Sequence, residues 1–572
     1  TKVKRDLSNS KYIINFGHNL YEGINMSETR GMMAAQMDKG AKLVVFEPRF
    51  SVVADKADEW YAIRPGTDVA VALALCHVLI EENLYDKAFV ERYVEGFDTF
   101  AAEVKAYTPE WAETISDVPA KDIRRIAREY AAKAPHAVVD FGHRATFTTE
   151  EFEMRRALYA ANILIGNIER KGGIYLGQKP SDYNKLAGEN VAPVLGKPGV
   201  KDMPKPAAKR IDQVEEQYAM MWSAGGIYQT VLDATLSAVP YQLHGWVMSR
   251  TNPMQTMTDR ARVVEALKKL DFVAVCDVYI SETAAYADVI LPESTYLERD
   301  EEIADKSGKN PAYYVRQRVV ETLGDTRPSW QIFKDIGHKL GLSEFYPWEN
   351  METLQLLQVN RDTELLRRIK DEGFVSFGKP IMLREPKMVA EFTKAYANAK
   401  PADEDGTYGS LLSFKTPSGK IELTSAKVEA MAPGRGVIKF REVQLKKPNE
   451  LYFIQGKVAV HTNGATHNVP MLANLMSDNA VWVHPDTASK LGISNGDPIR
   501  LTSSVGTEEG HALVTPGIRP DTVFAYMGFG SKNKELVRAT GKGIHCGNLL
   551  PHVTAPVCGM TVHTTGVTLA KR

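Results

Sequence analysis

The stretch that decides the fold is YIINFGHNLYEGI, residues Tyr12 to Ile24. A run with strand character leads into Gly17, His18 and Asn19, and a pattern typical of a helix follows around Ser27–Lys39. This order predicts the start of a nucleotide-binding βα unit, because backbone N–H groups at a helix start attract phosphate oxygens. The dinucleotide fingerprint G-x-G-x-x-G is absent from the loop.

The same plan occurs a second time in the chain. In the first copy the next strand, KLVVF, ends at Glu47. In the second copy a strand at His244–Ser249 is followed by a helix and then by a strand that ends at Asp277. An Ala-Asp pair follows each acid at the same interval, so that Asp58 and Asp288 each lie 11 residues after it.

The repeated acids have a chemical interpretation and a structural one. An acid at the end of such a strand can accept hydrogen bonds from ribose hydroxyls, and a further carboxylate can pair with the N–H edge of guanine. Two copies therefore predict two bound nucleotide tails and disfavour an NAD-dependent dehydrogenase, which needs one fingerprint and one acid. The alternative is structural, since every α/β protein has strand–loop–helix units and an acid after a strand is often a cap or turn residue.

The composition is that of an ordinary soluble protein of about three or four domains. Lys and Arg (70) balance Asp and Glu (71), so neither a nucleic-acid binder nor a polybasic membrane patch is indicated. The longest apolar stretch, Val69–Ile80, is too short to span a bilayer and predicts a buried helix. Zinc, iron–sulfur or disulfide frameworks built from this chain alone are not expected, because no C-x-x-C pair occurs among Cys76, Cys276, Cys546 and Cys558.

Three further segments have informative patterns. From about Lys446 onward, short β-branched runs separated by Gly, Pro, Asn and Asp predict a β-barrel. The segment Ser329–Lys400 has apolar residues at helical spacing. The segment Ser181–Arg210 is rich in Pro, Gly and Lys, and we expect it to be a long surface excursion between domains.

Several motifs resemble the molybdopterin oxidoreductases of the dimethyl-sulfoxide-reductase family, especially its thiosulfate and polysulfide reductase branch. They are GHNLYEGINMSETRGMMAAQMDKGAKLVVFEPRFS, IRPGTD (Ile63–Asp68), GNIERKGG (Gly166–Gly173), AYADVILPESTYLERDEE (Ala285–Glu302), TPSGKIELTS (Thr416–Ser425) and the C-terminal HTN…HPDTASKLGISNGD…GIRPDTV. The resemblance runs nearly end to end.

This resemblance implies an α/β fold that carries two molybdopterin guanine dinucleotides on one Mo or W. Residues 1–180 and 181–320 would form two Rossmann-like domains, each holding one dinucleotide, with a connecting loop at 181–210. Residues 321–445 would be a mixed helical region that returns toward the family's N-terminal domain. Residues 446–572 would be a C-terminal β-barrel of the double-psi type that closes over both pterins.

The resemblance also assigns cofactor-binding residues. In the first unit they are the phosphate-loop residues Gly17, Asn19 and Gly23, the ribose residue Glu47 (many members have Asp) with Arg49 beside it, and the guanine-side turn Pro65, Gly66 and Asp68. In the second unit they are Ser249, Thr251, Asn252, Asp277, Ser281, Glu282, Thr283 and Asp288. In the barrel they are His461, Thr462, Asn463, His467 and Asn548. The alternative for Glu282 and Arg49 is a solvated loop residue or a local ion pair, and a His-Thr pair is unremarkable in a barrel.

No metal ligand is assigned in this chain. In the family the protein ligand of the metal and the cysteines of a [4Fe–4S] cluster lie upstream of the GHN loop, so we expect the sequence to correspond to the C-terminal three quarters of the subunit. The active-site candidates are His143 and Arg144, where Arg144 would hold an anionic substrate and His143 would donate a proton. The alternative is that Arg144 pairs with Glu150 or Glu151.

The expected reaction is two-electron reductive cleavage of the S–S bond of thiosulfate or polysulfide in anaerobic respiration. The implied partners are an iron–sulfur electron-transfer subunit, a quinol-oxidising membrane anchor and a small anionic sulfur substrate, in the periplasm after export by an upstream twin-arginine signal. The alternatives are a respiratory arsenate or tetrathionate reductase and, in another class, a non-catalytic scaffold like the large subunit of respiratory NADH dehydrogenase.

Overall fold

The computed structural model describes residues 3–23, 26–142, 148–198, 206–214, 216–218, 220 and 226–572. The strands of its N-terminal part are β1 (Val3–Arg5), β2 (Tyr12–Phe16), β3 (Lys42–Phe46), β4 (Glu59–Tyr61), β5 (Val94–Glu95), β6 (Ala137–Phe141) and β7 (Ile174–Leu176). The helices are α1 (Met26–Met33), α2 (Val52–Asp55), α3 (Asp68–Glu81), α4 (Lys87–Tyr93), α5 (Phe97–Val104), α6 (Pro109–Ser116), α7 (Ala120–Ala132), α8 (Glu151–Leu164) and α9 (Pro180–Ala187).

Four of these strands form a parallel sheet in the order β4-β3-β2-β6, which we call the first unit together with its flanking helices. Strands β2 and β6 are buried along their whole length, as expected for central strands of a parallel sheet. Helix α3 is buried on nearly every side, which confirms the predicted buried helix. Because parallel strands run in one direction, the loops after β2, β3 and β6 leave the sheet at the same edge.

A second parallel sheet forms the second unit. Its strands are β8 (Gly245–Ser249), β9 (Phe272–Asp277) and β10 (Val289–Pro292), in the order β10-β9-β8. Apolar residues of β8 and β9 pack against its helices in one core. These helices are α10 (Tyr228–Ser237), α11 (Pro253–Thr256) and α12 (Arg260–Lys269).

The region between the second unit and the barrel is mixed, and the helices predicted between Ser329 and Lys400 are confirmed. They are α13 (Ser329–Lys339), α14 (Met351–Gln358), α15 (Thr363–Glu372) and α16 (Pro386–Ala395), and α17 (Ala426–Met431) follows. Strands β11 (Ala304–Lys306), β12 (Ala312–Tyr314) and β13 (Phe374–Ser376) form an antiparallel sheet, and β14 (Ile421–Glu422) pairs with β5 of the N-terminal part.

The predicted surface excursion at Ser181–Arg210 is wrong in its first part. Helix α9 buries Tyr183, Leu186 and Ala187 in a core with Phe392. Proline at its start and Gly188 at its end are the usual signals of a helix, and the high content of Pro, Gly and Lys in the whole segment obscured them.

The C-terminal part is a closed barrel with the strand order β15-β19-β16-β18-β17-β20. Its strands are β15 (Leu451–Gly456), β16 (Val481–Val483), β17 (Pro498–Thr502), β18 (Thr507–Val514), β19 (Thr522–Tyr526) and β20 (Thr565–Lys571), with helices α18 (Pro470–Leu475) and α19 (Pro485–Lys490). The α/β class and the barrel are therefore confirmed, while the Rossmann-like and double-psi descriptions and the domain bounds stay predictions. Within the described ranges, no helix has the length and apolar character needed to cross a membrane.

Candidate functional site

The first predicted phosphate loop, residues 17–23, leaves the carboxyl end of β2. Gly17 has a φ of +56°, a region that favours glycine. The Asn19 side-chain oxygen accepts a hydrogen bond from the Val53 N–H (3.3 Å), and the Gly23 N–H closes a 3-10 turn. The loop is therefore a tight turn whose side chains anchor it to the start of α2.

Glu47 and Arg49 lie in a buried ion network rather than at a solvated surface. The Arg49 guanidinium donates to Glu47 (3.1 Å) and to Glu22 (3.2 Å), and the Ser51 hydroxyl donates to the other oxygen of Glu47. Burial raises the pKa of Glu47, against the lowering effect of Arg49. Tyr526 of the barrel donates to Glu22 (3.3 Å) and accepts from Arg49 (3.3 Å), so the ion pair given as the alternative for Arg49 also joins the first unit to the barrel.

The predicted guanine-side turn packs under the segment that precedes the barrel. Pro65 is buried, and a Cβ added at Gly66 would lie 2.8 Å from the Leu445 side chain. Asp68 is buried at the start of α3, and this burial raises its pKa to about 7, with a further contribution from Glu151. At neutral pH this carboxyl is therefore partly uncharged.

The loops after β8 and β9 are tied together in the second unit. Asn252 Oδ1 accepts hydrogen bonds from the Thr283 hydroxyl (2.7 Å) and N–H (3.2 Å). Asp277 is half-buried at the end of β9, where burial raises its pKa against hydrogen bonds from the Val278 N–H and the Ser281 side chain. The predicted residues of this unit that converge at one sheet edge are Ser249, Thr251, Asn252, Asp277, Ser281 and Thr283.

Glu282 is buried in an ion pair with Arg260 (2.5 Å). Its carboxylate also accepts hydrogen bonds from the N–H groups of Lys532 (2.9 Å) and Asn533 (3.0 Å) and from the Ser531 hydroxyl. The local ion pair given as the alternative for Glu282 is therefore present. Through its hydrogen bonds to the barrel, the same carboxylate joins the second unit to the barrel, as Arg49 joins the first.

Asp288 lies away from the predicted site, and its spacing has a structural cause. The Asp288 carboxylate accepts from the Val273 N–H (2.7 Å), and the Asp58 carboxylate accepts from the Leu43 N–H (2.6 Å). Each aspartate immediately precedes a strand that runs parallel to the one it contacts. The equal 11-residue spacing therefore reflects strand pairing. It places both carboxylates at the amino ends of the strands, whereas Glu47 and Asp277 lie at the carboxyl ends.

Two histidines of the barrel domain form a buried stack. The rings of His461 and His467 lie 4.0 Å apart, and Phe529 packs against both. His467 Nε2 donates to the Asn463 carbonyl oxygen (2.6 Å), and its buried Nδ1 has no hydrogen-bond partner among the described residues. Burial, together with the charge of His461, lowers the pKa of His467 to about 4, so Nδ1 is a hydrogen-bond acceptor at neutral pH.

Thr462 and Asn548, the other two predicted barrel residues, both form hydrogen bonds within the barrel domain. Thr462 is exposed, and its N–H donates to Thr466 (2.9 Å). The Asn548 side chain donates to Glu508 (2.8 Å), and its N–H donates to His545 Nδ1 (3.1 Å). Asn548 is thus held within the barrel by its own neighbours.

Two cavities lie between the second unit and the barrel and meet at Gln255 and Gly528, which line both. One is lined by predicted residues of both parts, namely Asn252, Glu282 and His467. The other lies beside His545 and His563. Sequence reasoning missed most of the lining, although the run MGFGS directly after β19 was a usable signal for Gly528 and Phe529. Other missed residues include Gln255, Tyr279, His545 and His563.

One barrel segment, Tyr526–Asn533, faces both units. We call it the bridging segment. Its first residue bonds Glu22 and Arg49 of the first unit, and its last residues bond Glu282 of the second. Between them, the Gln255 side chain donates to the Phe529 carbonyl oxygen (2.8 Å). The loops at the carboxyl ends of both parallel sheets therefore meet the same side of the barrel.

The active-site candidates His143 and Arg144 lie outside the described residues. The acids suggested as partners of Arg144 have other partners, since Glu150 pairs with Arg435 (2.8 Å) and Glu151 with Arg155 (2.6 Å). Across the described ranges, no group of three or more His, Cys, Asp or Glu side chains is arranged to hold a metal ion.

Comparison with known families and proteins gives consistent matches. Residues 2–339 match the molybdopterin oxidoreductase family, and residues 451–565 match the molydopterin dinucleotide binding domain. The chain is 57% identical over 566 residues to the thiosulfate reductase molybdopterin-containing subunit PhsA of Salmonella typhimurium, covering 99% of this chain and 74% of that protein.

More distant matches extend the same likeness. The arsenate respiratory reductase molybdopterin-containing subunit ArrA of Chrysiogenes arsenatis is 26% identical over 664 residues, covering 99% of this chain and 76% of that protein. Acetylene hydratase from Pelobacter acetylenicus has a similar structure, with a TM-score of 0.78 at 20% identity over 100% of this chain and 79% of its own. This last likeness concerns the fold alone.

Proposed function

Because the chain belongs to the molybdopterin oxidoreductase family, we propose that this molybdenum oxidoreductase is the catalytic subunit of a thiosulfate or polysulfide reductase. The observation that carries the proposal is the 57% identity to a thiosulfate reductase subunit over 99% of the chain. The reaction would cleave an S–S bond with two electrons and two protons. Thiosulfate would give hydrogen sulfide and hydrogen sulfite ions, and polysulfide would be shortened.

The described residues fit two molybdopterin guanine dinucleotides. Two phosphate-loop units face one barrel segment, and the buried Nδ1 of His467 has no hydrogen-bond partner among the described residues. When bound, such a cofactor supplies the two-electron transfer. The residues that would hold it are Gly17, Asn19 and Gly23 in the first unit, Ser249, Thr251, Asn252, Asp277, Ser281 and Thr283 in the second, and His461, Asn463 and His467 in the barrel.

The chain's own residues would bind, orient and shield. Asp277 would offer carboxylate oxygens to hydroxyl groups of the cofactor, and His467, which lines the cavity beside Asn252, would accept an N–H at its unpaired Nδ1. We retain Arg144 as the residue that holds the anionic substrate through charge-assisted hydrogen bonds and His143 as the proton donor. An iron–sulfur subunit and a quinol-oxidising membrane anchor would deliver electrons on the periplasmic side, as the family likeness implies.

The substrate is tested with the full-length protein purified with its cofactor. Reduction rates are measured with thiosulfate, polysulfide, tetrathionate and arsenate under one reductant. We expect the highest kcat/KM with thiosulfate or polysulfide. A higher kcat/KM with arsenate or tetrathionate would show that the proposed substrate is wrong. A purified protein that contains neither pterin nor metal would support the non-catalytic scaffold instead.

The two aspartates of the second unit provide a matched test of the cofactor site. We expect Asp277→Asn to lower the content of guanine dinucleotide per chain toward half, because the dinucleotide of the second unit loses its hydrogen bonds to a charged acceptor. We expect Asp288→Asn to leave it unchanged, because Asp288 bonds only to strand backbone at the opposite edge. Nucleotide released by denaturation is quantified by chromatography, and equal losses in both variants would contradict the assignment of Asp277.

A further inference from the structure

A histidine–aspartate pair lies beside the first phosphate loop and is not used by the function proposed above. Asp140 is fully buried near the end of β6. Its carboxylate meets His18 Nδ1 at 2.9 Å, the Arg5 guanidinium at 2.8 Å and the Asn15 side-chain amide at 3.3 Å. Burial alone would raise the pKa of Asp140, but the charges of Arg5 and His18 outweigh it and hold the pKa below its ordinary value.

The backbone of His18 is held by the Asn15 side chain. Its N–H donates to Asn15 Oδ1 (3.0 Å), and its carbonyl oxygen accepts from Asn15 Nδ2 (3.0 Å). A Cβ added at Gly142 would lie 3.5 Å from the His18 Cα, so the end of β6 packs directly against the loop. The backbone of His18 is therefore held in place, with its ring next to Asp140.

The bond to Asp140 uses Nδ1 as a donor, which leaves Nε2 for another partner. Nε2 makes no hydrogen bond to the described part of the chain, and 17% of the side chain is exposed. His18 lies between Gly17 and Asn19 in the loop itself. A ligand bound by this loop is therefore within reach of the ring.

Among the described residues, the bonded charged groups around the loop carry more negative than positive charge. The bonded charged groups of the surrounding described elements include six carboxylates, three guanidinium groups and one ammonium group: Glu22, Glu28, Glu47, Asp55, Asp140 and Glu151, with Arg5, Arg49, Arg155 and Lys56. Each guanidinium is already shared with at least one carboxylate. A diphosphate entering here adds negative charge in a poorly solvated place, where charge repulsion is strong.

We propose that His18, as an imidazolium, is a ligand of the first dinucleotide's diphosphate and that Asp140 orients its ring toward the phosphate. The imidazolium donates from Nδ1 to Asp140 and from Nε2 to a phosphate oxygen, because both ring nitrogens of a charged histidine are donors. Asp140 is a positioning residue, which orients the ring and compensates its charge. This inference rests on the proposed cofactor and deepens it by adding a pH-sensitive contact.

The proposal predicts how cofactor retention depends on pH. Only the imidazolium form of His18 can donate to both Asp140 and a phosphate oxygen, so we expect the cofactor to be retained longer at pH 6 than at pH 8. The test uses the full-length protein isolated with its cofactor. Samples at pH 6 and pH 8 are passed through gel filtration over time, and guanine nucleotide and metal per chain are measured.

We expect the wild type to lose cofactor roughly tenfold faster at pH 8 than at pH 6, the effect of one charge-assisted hydrogen bond. His18→Gln should show the faster loss at both pH values, and His18→Lys should restore slow loss at both because its charge persists. The control His77→Gln changes a histidine that bonds only the Val104 carbonyl oxygen (2.9 Å) and should behave as the wild type.

Two results would overturn the inference. One is a wild-type loss rate that is the same at pH 6 and pH 8, which requires no variant. The other is a His18→Gln protein that keeps the wild-type pH dependence. Failure of the proposed function looks different, since an enzyme that retains two dinucleotides with the expected pH dependence but reduces no sulfur compound leaves the role of His18 intact.

Discussion

Replacement of Arg49 by methionine is expected to loosen the barrel from the first unit. The change leaves Glu47 and Glu22 buried without their shared cation, and loss of one partner of a buried ion pair typically costs about 3–5 kcal/mol. It also removes the guanidinium that stacks on Phe524, 4.3 Å from the ring centre. We expect a lower melting temperature in calorimetry and faster proteolysis between the units and the barrel.

The pH dependence of this variant has a definite sign. Without Arg49 the folded-state pKa of Glu47 lies further above its unfolded value, since burial already raises this pKa and the lowering effect of Arg49 is removed. The folded state then binds more protons than the unfolded state, so stability falls as pH rises, and the defect should be smaller at pH 5 than at pH 8. Arg500→Met, which breaks the exposed pair with Glu509, should have no measurable effect, and an equally mild Arg49→Met would show that the network does not hold the barrel.

Gly528→Ala is expected to abolish normal cofactor binding while leaving the two sheets folded. An added Cβ would lie 2.5 Å from the Asn463 carbonyl oxygen and 2.7 Å from His467 Nε2, and both distances are shorter than real contacts. The stacked rings of His461 and His467 would have to shift, and the lining that both cavities share at Gly528 would shift with them. We expect a large loss of guanine dinucleotide and metal per chain, measured after purification, together with an unchanged far-ultraviolet dichroism spectrum.

Gly541→Ala is a control that distinguishes the steric clash of an added Cβ from the backbone strain of a non-glycine residue at positive φ. Both glycines have positive φ, +98° for Gly528 and +69° for Gly541, but a Cβ at Gly541 would meet nothing within 4 Å. Gly541→Ala should therefore cost only the strain of the left-handed backbone, about 1 kcal/mol, and retain cofactor. Equal losses in the two variants would mean that strain, rather than contact with Asn463 and His467, explains the effect.

Local sequence determined much of the architecture. The buried runs of β2, β3 and β9, the helix at Val69–Ile80 and the short strands of the barrel follow from spacing and composition, which report on neighbours in the chain. The paired βα loops were found in the same way. Sequence signals erred at Ser181–Arg210, where Pro and Gly marked the ends of a buried helix rather than a loop.

The tertiary structure decided what the acidic residues do. The sequence pattern was compatible with a base-binding role for Asp288. Only the pairing of β9 with β10 showed that Asp288 lies at the amino ends of the strands, away from the predicted site. Glu282 and Arg49 gained their roles from barrel residues about 250 and 480 positions away. The cavities at Gln255 and Gly528, and the pairing of His18 with Asp140, likewise depend on segments that meet only when the chain is packed, because burial and charge compensation are properties of the assembled neighbourhood and not of any local pattern.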